Sequence, residues 1–252
     1  TESSRTWKSE KMKYDPNGFI IWKASKGSEV NLVPRTWFEH PPVLLGNELI
    51  YADYRAKYLN QDGKLDQFWT SLCIVSKDKG KTWSRRSTIL NGSNEAQANE
   101  PMISPTSDGG LICVIRTNGA GSKSNSLLAT HSKDAGLTWS PAKAINKFGV
   151  FPGVILLKNG VLVVSYGRNG VHLKFSVNGL GETWSNQISL IPDTVAWNDT
   201  CGYTSLLAIN ANEFLIAYSD FKHKSSDGKT RKAILVQRVK VTLGADKKEE
   251  VK

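Results

Sequence analysis

Cysteine, methionine and long apolar runs are all scarce in this sequence. The 252 residues include only two methionines and three cysteines, Cys73, Cys113 and Cys201. The longest apolar runs, 149–157 and 161–166, are too short to cross a bilayer. An odd number of cysteines without a close pair argues against a disulfide framework and against a Cys-x-x-Cys metal site. The sequence therefore excludes a membrane-spanning protein and a disulfide scaffold, and no metal or cofactor is expected.

The chain carries 33 basic and 23 acidic side chains, a formal net charge of +10. Such an excess favours an anionic partner, which could be nucleic acid, a membrane surface or an acidic sugar, unless it only solvates the surface. The densest basic cluster is Lys222-His223-Lys224, followed by Lys229, Arg231 and Lys232. No aromatic-rich single-strand motif or recognition helix accompanies it, so nucleic-acid binding is not expected.

The N-terminus carries no basic-then-apolar segment, so a signal peptide was either removed or never present. Two glycosylation sequons begin at Asn91 and Asn198 and are compatible with secretion. An extracellular or periplasmic location is therefore favoured.

A short repeat organises the chain. The segments 76–83 (SKDKGKTW) and 132–139 (SKDAGLTW) match in six of eight positions, and 176–184 (SVNGLGETW) is a third copy with one extra residue. Ser and Asp side chains can fix a tight turn, Gly relieves its backbone, and Trp packs on adjoining strands. Each copy therefore predicts a structural hairpin turn rather than a catalytic motif.

Strand-like runs flank each turn in the same order. Three runs precede each turn and one follows it, while a last set, 203–209, 214–221 and 233–241, lacks the turn motif. These runs are rich in β-branched and aromatic residues, and sustained helical periodicity is missing. Four-stranded units repeating at this spacing predict an all-β protein, a β-propeller of antiparallel blades.

The motif Ser-x-Asp-x-Gly-x-Thr-Trp resembles the Asp-box, or BNR repeat, of the sialidase (neuraminidase) superfamily. The resemblance covers roughly 35–241 and implies a propeller with Asp-box hairpins. The family has six blades and four can be placed here, so the chain is either a shortened relative or a fragment. We expect one domain over 1–252, in which 1–36 could complete the last blade and 243–252 form a frayed tail.

The resemblance also implies catalytic residues. Sialidases use a Tyr nucleophile, and Cys201-Gly202-Tyr203-Thr204-Ser205-Leu206 is similar to the family's nucleophile motif, which assigns that role to Tyr203. The acid/base Asp corresponds best to Asp62, with Asp66 as a substitute, and Arg168 resembles one of the arginines that bind the substrate carboxylate. The implied activity is exo-glycosidic hydrolysis of a sialic-acid-like or uronic-acid terminal sugar, with a glycan or glycoconjugate as the partner.

Other family positions are filled differently. The first carboxylate-binding arginine is replaced by Glu39 or His40, and no acid lies at 149–151, where the family's base is expected. Glu100 could serve as the base instead. Arg55, Arg116 and Arg168 end equivalent strands and could together rebuild a carboxylate site, since guanidinium groups bind carboxylates bidentately.

Two further functions remain open. The altered positions are also compatible with a non-catalytic propeller that binds glycan or protein through the same face. His40 and His172, with Tyr203 and Arg168, could instead support β-elimination by a polysaccharide lyase, since His is an ordinary general base near neutral pH.

Overall fold

The computed structural model describes residues 13–14, 20–21, 38–55, 58–59, 65–66, 68–94, 96–118, 126–196, 198–243 and 249–251. Side chains are described throughout these ranges except at 13–14, 20–21, 55, 58–59, 65–66 and 249–251. Every regular element within them is a β-strand, so the predicted all-β class is confirmed. None of these residues forms a helix that is long and apolar enough to cross a membrane.

The strands are numbered in chain order. The N-terminal part and the first blade contain β1 (Lys13–Tyr14), β2 (Ile20–Ile21), β3 (Val43–Leu45), β4 (Glu48–Arg55), β5 (Tyr58–Leu59), β6 (Leu65–Asp66), β7 (Thr70–Ser76) and β8 (Thr82–Leu90). The second blade contains β9 (Gln97–Pro105), β10 (Leu111–Asn118), β11 (Leu127–Ser132) and β12 (Lys143–Asn146). The third contains β13 (Val150–Leu156), β14 (Leu162–Gly167), β15 (Val171–Ser176) and β16 (Ile188–Ile191). The fourth contains β17 (Thr204–Ala208), β18 (Glu213–Lys224), β19 (Thr230–Leu243) and β20 (Glu249–Val251).

Each blade is an antiparallel meander. The orders are β3-β4-β7-β8, β9-β10-β11-β12, β13-β14-β15-β16 and β17-β18-β19-β20, and β2, β5 and β6 form a small separate sheet. The four blades expected from the sequence are therefore present as propeller blades. The inner strands β9, β13 and β17 pack from one blade to the next, and β9 packs mainly on β4, the second strand of the first blade, in an open row.

Both ends of the chain add strands at blade edges. Lys13–Tyr14 pairs in parallel with Thr82–Trp83 on the outer strand of the first blade, not with the last blade. The remainder of the predicted blade-completing segment 1–36 lies outside the described residues, apart from β2. Within the predicted frayed tail, Glu249–Val251 pairs with Val241–Leu243 and supplies the fourth strand of the last blade.

The repeated motif forms a hairpin turn in all three copies. In the second copy, Ser132 Oγ donates to Asp134 Oδ1 at 2.7 Å and accepts from the Gly136 N–H at 2.8 Å. Thr138 donates to the same carboxylate from its N–H and its hydroxyl, at 2.9 and 2.5 Å. These bonds hold the pKa of Asp134 down at about 2, with the Thr138 hydroxyl as the largest cause. The structural interpretation of the repeat is therefore correct.

Apolar side chains of adjacent blades meet in shared clusters. Ile50, Cys73, Ile103 and Cys113 are buried together between the first and second blades, so both cysteines act as small core residues. Corresponding clusters lie between the second and third blades and between the third and fourth. Each blade thus depends on its neighbour for burial, and this fixes the inner strands at whose ends the site lies.

Candidate functional site

Matching β-bulges begin the inner strands of the second and third blades. In the second blade, Glu100 and Pro101 both lie opposite Ile115, because the register shifts between Val114 and Arg116. Phe151 and Pro152 make the same bulge in the third blade, opposite Tyr166. Proline has no N–H for the ladder and is tolerated at bulges, which also redirect side chains. Glu100 and Phe151 both have φ near 45°, in the left-handed region, so the bulge turns both residues out of the strand pattern.

The redirected Glu100 carboxylate is the hub of the site and is only 7% exposed. Its Oε1 accepts hydrogen bonds from Arg116 Nη1 at 2.7 Å and from Tyr203 Oη at 3.0 Å. Its Oε2 accepts the backbone N–H of Phe151 at 2.8 Å. Residues from three blades therefore converge on one buried carboxylate, and the Arg116 charge is paired with it.

Tyr203 lies at the mouth of the site, with 39% of the residue exposed. Its ring stacks on Phe151 with centroids 4.3 Å apart and planes at 7°. Burial and the nearby Glu100 charge raise the pKa of the phenol, whereas Arg116 and Arg168 lower it by a smaller amount. The phenol is thus neutral, held in place, and bonded to an acceptor that can take its proton.

Two glycines allow the fourth blade to approach this closely. A Cβ on Gly167 would lie 2.2 Å from the backbone oxygen of Gly202, and Gly202 itself has φ of +72°. The strand end that carries Arg168 therefore touches the strand start that carries Tyr203. Arg168 Nη2 donates to the Cys201 carbonyl at 3.3 Å, while its buried Nε has no hydrogen-bond partner in the structure.

Glu39 and His40 enter the site from the first blade. Tyr54 Oη donates to Glu39 Oε1 at 3.0 Å, and burial, reinforced by the Glu100 charge, raises the pKa of Glu39. The His40 ring packs 4.6 Å from Phe151, and burial lowers its pKa to about 4. Glu39 and His40, which replace the first carboxylate-binding arginine, therefore both lie close to the Glu100 carboxylate. Glu39 is an acid, and the His40 imidazole is neutral near pH 7.

The sequence-predicted residues divide into two groups. The structure brings Tyr203, Glu100, Arg116, Arg168, Glu39 and His40 together. Arg55 ends β4 opposite Thr70, but its side chain lies outside the described residues, as do Asp62 and the side chain of Asp66. His172 lies in the core, and its two ring nitrogens contact Ser189 Oγ and the Asn169 carbonyl at 2.9 and 2.6 Å.

Phe151 and Tyr54 lie at strand ends that the sequence places on this face, but the sequence assigned neither of them a role. Phe151 supplies a stacking face and a backbone donor, and Tyr54 binds Glu39. The repeated pairs His40-Pro41, Glu100-Pro101 and Phe151-Pro152 are the signal that could have revealed Phe151. Tyr54 precedes Arg55 at the end of β4, the strand end equivalent to those that carry Arg116 and Arg168.

Comparison with known proteins supports the fold. Residues 3–216 match the family model described as BNR repeat-like domain. None of the curated proteins searched matches the sequence. A protein of unknown function from Dyadobacter fermentans is similar in structure, with a TM-score of 0.58 and 18% identity over 75% of this chain and 50% of that one. The NanB sialidase of Streptococcus pneumoniae has a TM-score of 0.53 and 16% identity, over 77% of this chain and 29% of that one.

A third similar structure is the α-L-arabinofuranosidase PaAbf62A of Podospora anserina, in complex with cellotriose. Its TM-score is 0.50 and its identity 9%, over 79% of this chain and 62% of that one. The chain thus has a fold shared with glycosidase propellers, and it spans half or less of the first two structures.

Proposed function

The chain belongs to the BNR repeat-like domain family, and from that premise we propose that it is a sialidase-like glycoside hydrolase. Its nucleophile is Tyr203, its base Glu100, and its substrate a glycan that ends in an anionic sugar. The observation that carries the proposal is the 3.0 Å hydrogen bond from Tyr203 Oη to Glu100 Oε1.

That hydrogen bond addresses the main weakness of a phenol as a nucleophile. A phenol has a pKa of about 10 and attacks only when a base removes its proton. When Glu100 accepts this proton, the negative charge moves from the carboxylate to the phenolate and the total charge is unchanged. Arg116 and Arg168 lie close enough to stabilise the phenolate, since both lower the pKa of Tyr203.

The proposed reaction has two steps. The Tyr203 oxygen bonds to the anomeric carbon while the bond to the leaving group breaks, and Asp62 gives its proton to the leaving oxygen. Water, deprotonated by Asp62, then attacks the same carbon and releases the sugar, and Glu100 returns its proton to Tyr203. Each bond formed is matched by one broken, and no cofactor takes part.

A neutral nucleophile suits an anionic sugar. A carboxylate nucleophile would be repelled by a negative group near the anomeric carbon, whereas a phenol that ionises only during attack is not. Arg168 can bind such a group because its buried Nε has no hydrogen-bond partner in the structure. The sialidase named among the similar structures supports sialic acid, whereas the acidic Glu39 favours a sugar that presents hydroxyl groups, and not its carboxylate, to the first blade.

The test is turnover of fluorogenic sialosides and glucuronides by the chain and by Tyr203→Phe. We expect hydrolysis of one class, and a loss of at least about 10³-fold in kcat in the variant, because the nucleophile is removed. Tyr218→Phe is the matched control, since it removes a phenol that donates to Gln237 elsewhere in the same blade. Equal rates for Tyr203→Phe and the wild type would refute the proposal.

A non-catalytic glycan-binding propeller is the second candidate. Arg116 is neutralised by Glu100, and Glu39 adds an acid nearby, so less positive charge is free for catalysis than three arginines suggest. The binding candidate predicts that the chain binds glycans on an array, that Arg168→Ala loses this binding, and that no bound glycan is hydrolysed.

We do not propose lyase activity, because His172 is a core residue and His40, with a pKa of about 4, is a weak base.

A further inference from the structure

The hairpin of the fourth blade extends beyond the end of the neighbouring blade. The third-blade strand β14 ends at Gly167, next to Arg168, whereas β18 continues past the equivalent Asp220 to Lys224. A register shift between Asp220 and His223 marks the start of this extension, which pairs onward to Thr230. We call residues 221–232 the basic hairpin, since they contain the densest basic cluster of the sequence.

A cleft separates the basic hairpin from the third blade. It is an open cleft of about 510 Å³, within the range of about 300–1,000 Å³ for small-molecule sites. Its lining includes Arg168, Asn198, Thr200, Phe221, Lys222 and Lys232. Three cations therefore face one space, which we call the basic cleft.

The positive charge of the basic cleft is only partly compensated. Lys222 Nζ lies 3.6 Å from Asp199 Oδ1, a long ion pair whose lysine side chain is exposed. Lys232 Nζ lies over the Phe221 ring, 5.2 Å from its centroid, and no carboxylate of the described residues lies within ion-pair distance of it. Lys222, Lys232 and Asp199 together leave a net charge of +1, which suits an anionic ligand in addition to the terminal sugar group that Arg168 binds.

The basic cleft adjoins the proposed nucleophile. Arg168 and Cys201 line the cleft, and Tyr203 follows Cys201 by two residues. Arg168 also contributes to the electrostatic environment of the Tyr203 phenol. A glycan whose scissile bond lies at Tyr203 can therefore extend its next sugar along the basic hairpin.

We propose that the basic cleft binds an anionic group, a carboxylate or a sulfate, on the sugar next to the terminal one. Lys232 is then a specificity-determining residue, and the preferred substrate is an acidic oligosaccharide with at least two charged sugars. This inference rests on the proposed function, because Tyr203 sets where the scissile bond lies.

The test compares ligands that carry one anionic group with ligands that carry a second one, either as a sulfate on the same glycan or on an added acidic sugar. Each ligand is titrated by calorimetry into Tyr203→Phe, so that hydrolysis does not interfere. The affinity for sialyllactose is compared with that for disialyllactose and for sialyllactose sulfated on its galactose. The affinity for galacturonate is compared with that for digalacturonate. We expect the ligand with the second anion to bind at least about tenfold more tightly in one series. Preference for the disialyl or digalacturonate ligand identifies a carboxylate, and preference for the sulfated ligand identifies a sulfate.

Variants of the basic hairpin then show which residue causes the preference for the second anion. Lys232→Gln should reduce the ratio of the two affinities to less than about twofold and leave binding of the singly charged ligand unchanged. Lys224→Gln is the matched control, since it removes one charge from the same hairpin outside the cleft lining. Equal affinities within every series, no binding of any probe, or a preference that survives Lys232→Gln would overturn the inference. Binding preference without hydrolysis by the wild type would instead contradict only the assignment of Tyr203 as nucleophile.

Discussion

At the scale of single residues, Glu100 is the most constrained side chain of the site. It is held in a left-handed backbone conformation that an ordinary residue rarely adopts, which costs of the order of 1–3 kcal/mol. Three donors from three blades bind its two oxygens. Backbone strain of this kind persists only where the surrounding structure fixes it. Here the strained conformation places the Glu100 carboxylate within hydrogen-bond distance of the Tyr203 hydroxyl.

The coupling of Glu100 to Tyr203 predicts a pKa change with a definite sign. The negative carboxylate disfavours the phenolate and is one cause of the raised Tyr203 pKa. Glu100→Gln should therefore lower the pKa of Tyr203, also because Arg116 loses its partner. The measurement is an NMR pH titration of ¹³C-labelled tyrosine, with Tyr203→Phe to assign the signal. Arg116→Gln is the opposite control and should raise the same pKa, and shifts of equal sign in both variants would contradict the coupling.

The sequence predicts most of the residues of the candidate site, but it does not predict their hydrogen-bond partners. The Cys-Gly-Tyr-Thr-Ser-Leu segment and the equivalent strand ends led to Tyr203, Arg116 and Arg168. Arg116 was expected to hold a ligand, and in the structure it pairs with Glu100. Its partner depends on a one-residue register shift, and a positive φ at a non-glycine residue leaves no signature in composition or periodicity.

At the scale of elements, the hairpins provide a comparison within one chain. The turn of the second blade is closed by the Asp134 carboxylate, whereas that of the third is closed by the neutral Asn178, which accepts from Ser176 Oγ and the Leu180 N–H. The repeated sequence was enough to predict both turns, because the side-chain hydrogen bonds that close them join residues within the motif. The edge strands β1 and β20 carry no such local motif.

The charge difference between the two turns predicts different acid responses. The folded pKa of Asp134 is about 2, below the unfolded value of about 3.9. Its ionised form therefore stabilises the fold above about pH 5, and this stabilisation is lost as pH falls toward 2. The loss of stability caused by Asp134→Ala, measured by urea unfolding at each pH, should be greatest near pH 6 and should shrink below pH 4. Asn178→Ala should destabilise equally at every pH, and a constant effect of Asp134→Ala would contradict the assignment.

At the scale of the whole molecule, the site exists only where blades touch. The Tyr203–Glu100 bond joins the fourth blade to the second, and Phe151 of the third lies between them. The third and fourth blades come close at Gly167 and Gly202, where two backbones meet with no side chain between them. The repeat predicted the blades and their order, but this spacing follows from tertiary packing that sequence periodicity does not encode.

Gly167→Ala should therefore change the position of Tyr203 although Gly167 is not itself one of the proposed catalytic residues. The added Cβ would lie 2.2 Å from the Gly202 oxygen and 2.3 Å from its Cα, so the fourth blade must move. Overpacking of this kind costs about 1–3 kcal/mol, and Tyr203 should lose its bond to Glu100, which lowers both its pKa and the turnover. Gly160→Ala is the control, since its φ of +88° gives a backbone penalty while no atom lies within 4 Å of the new Cβ. If both variants lose stability in urea but only Gly167→Ala changes the Tyr203 titration, the blade contact positions the nucleophile. An unchanged titration in Gly167→Ala would show that it does not.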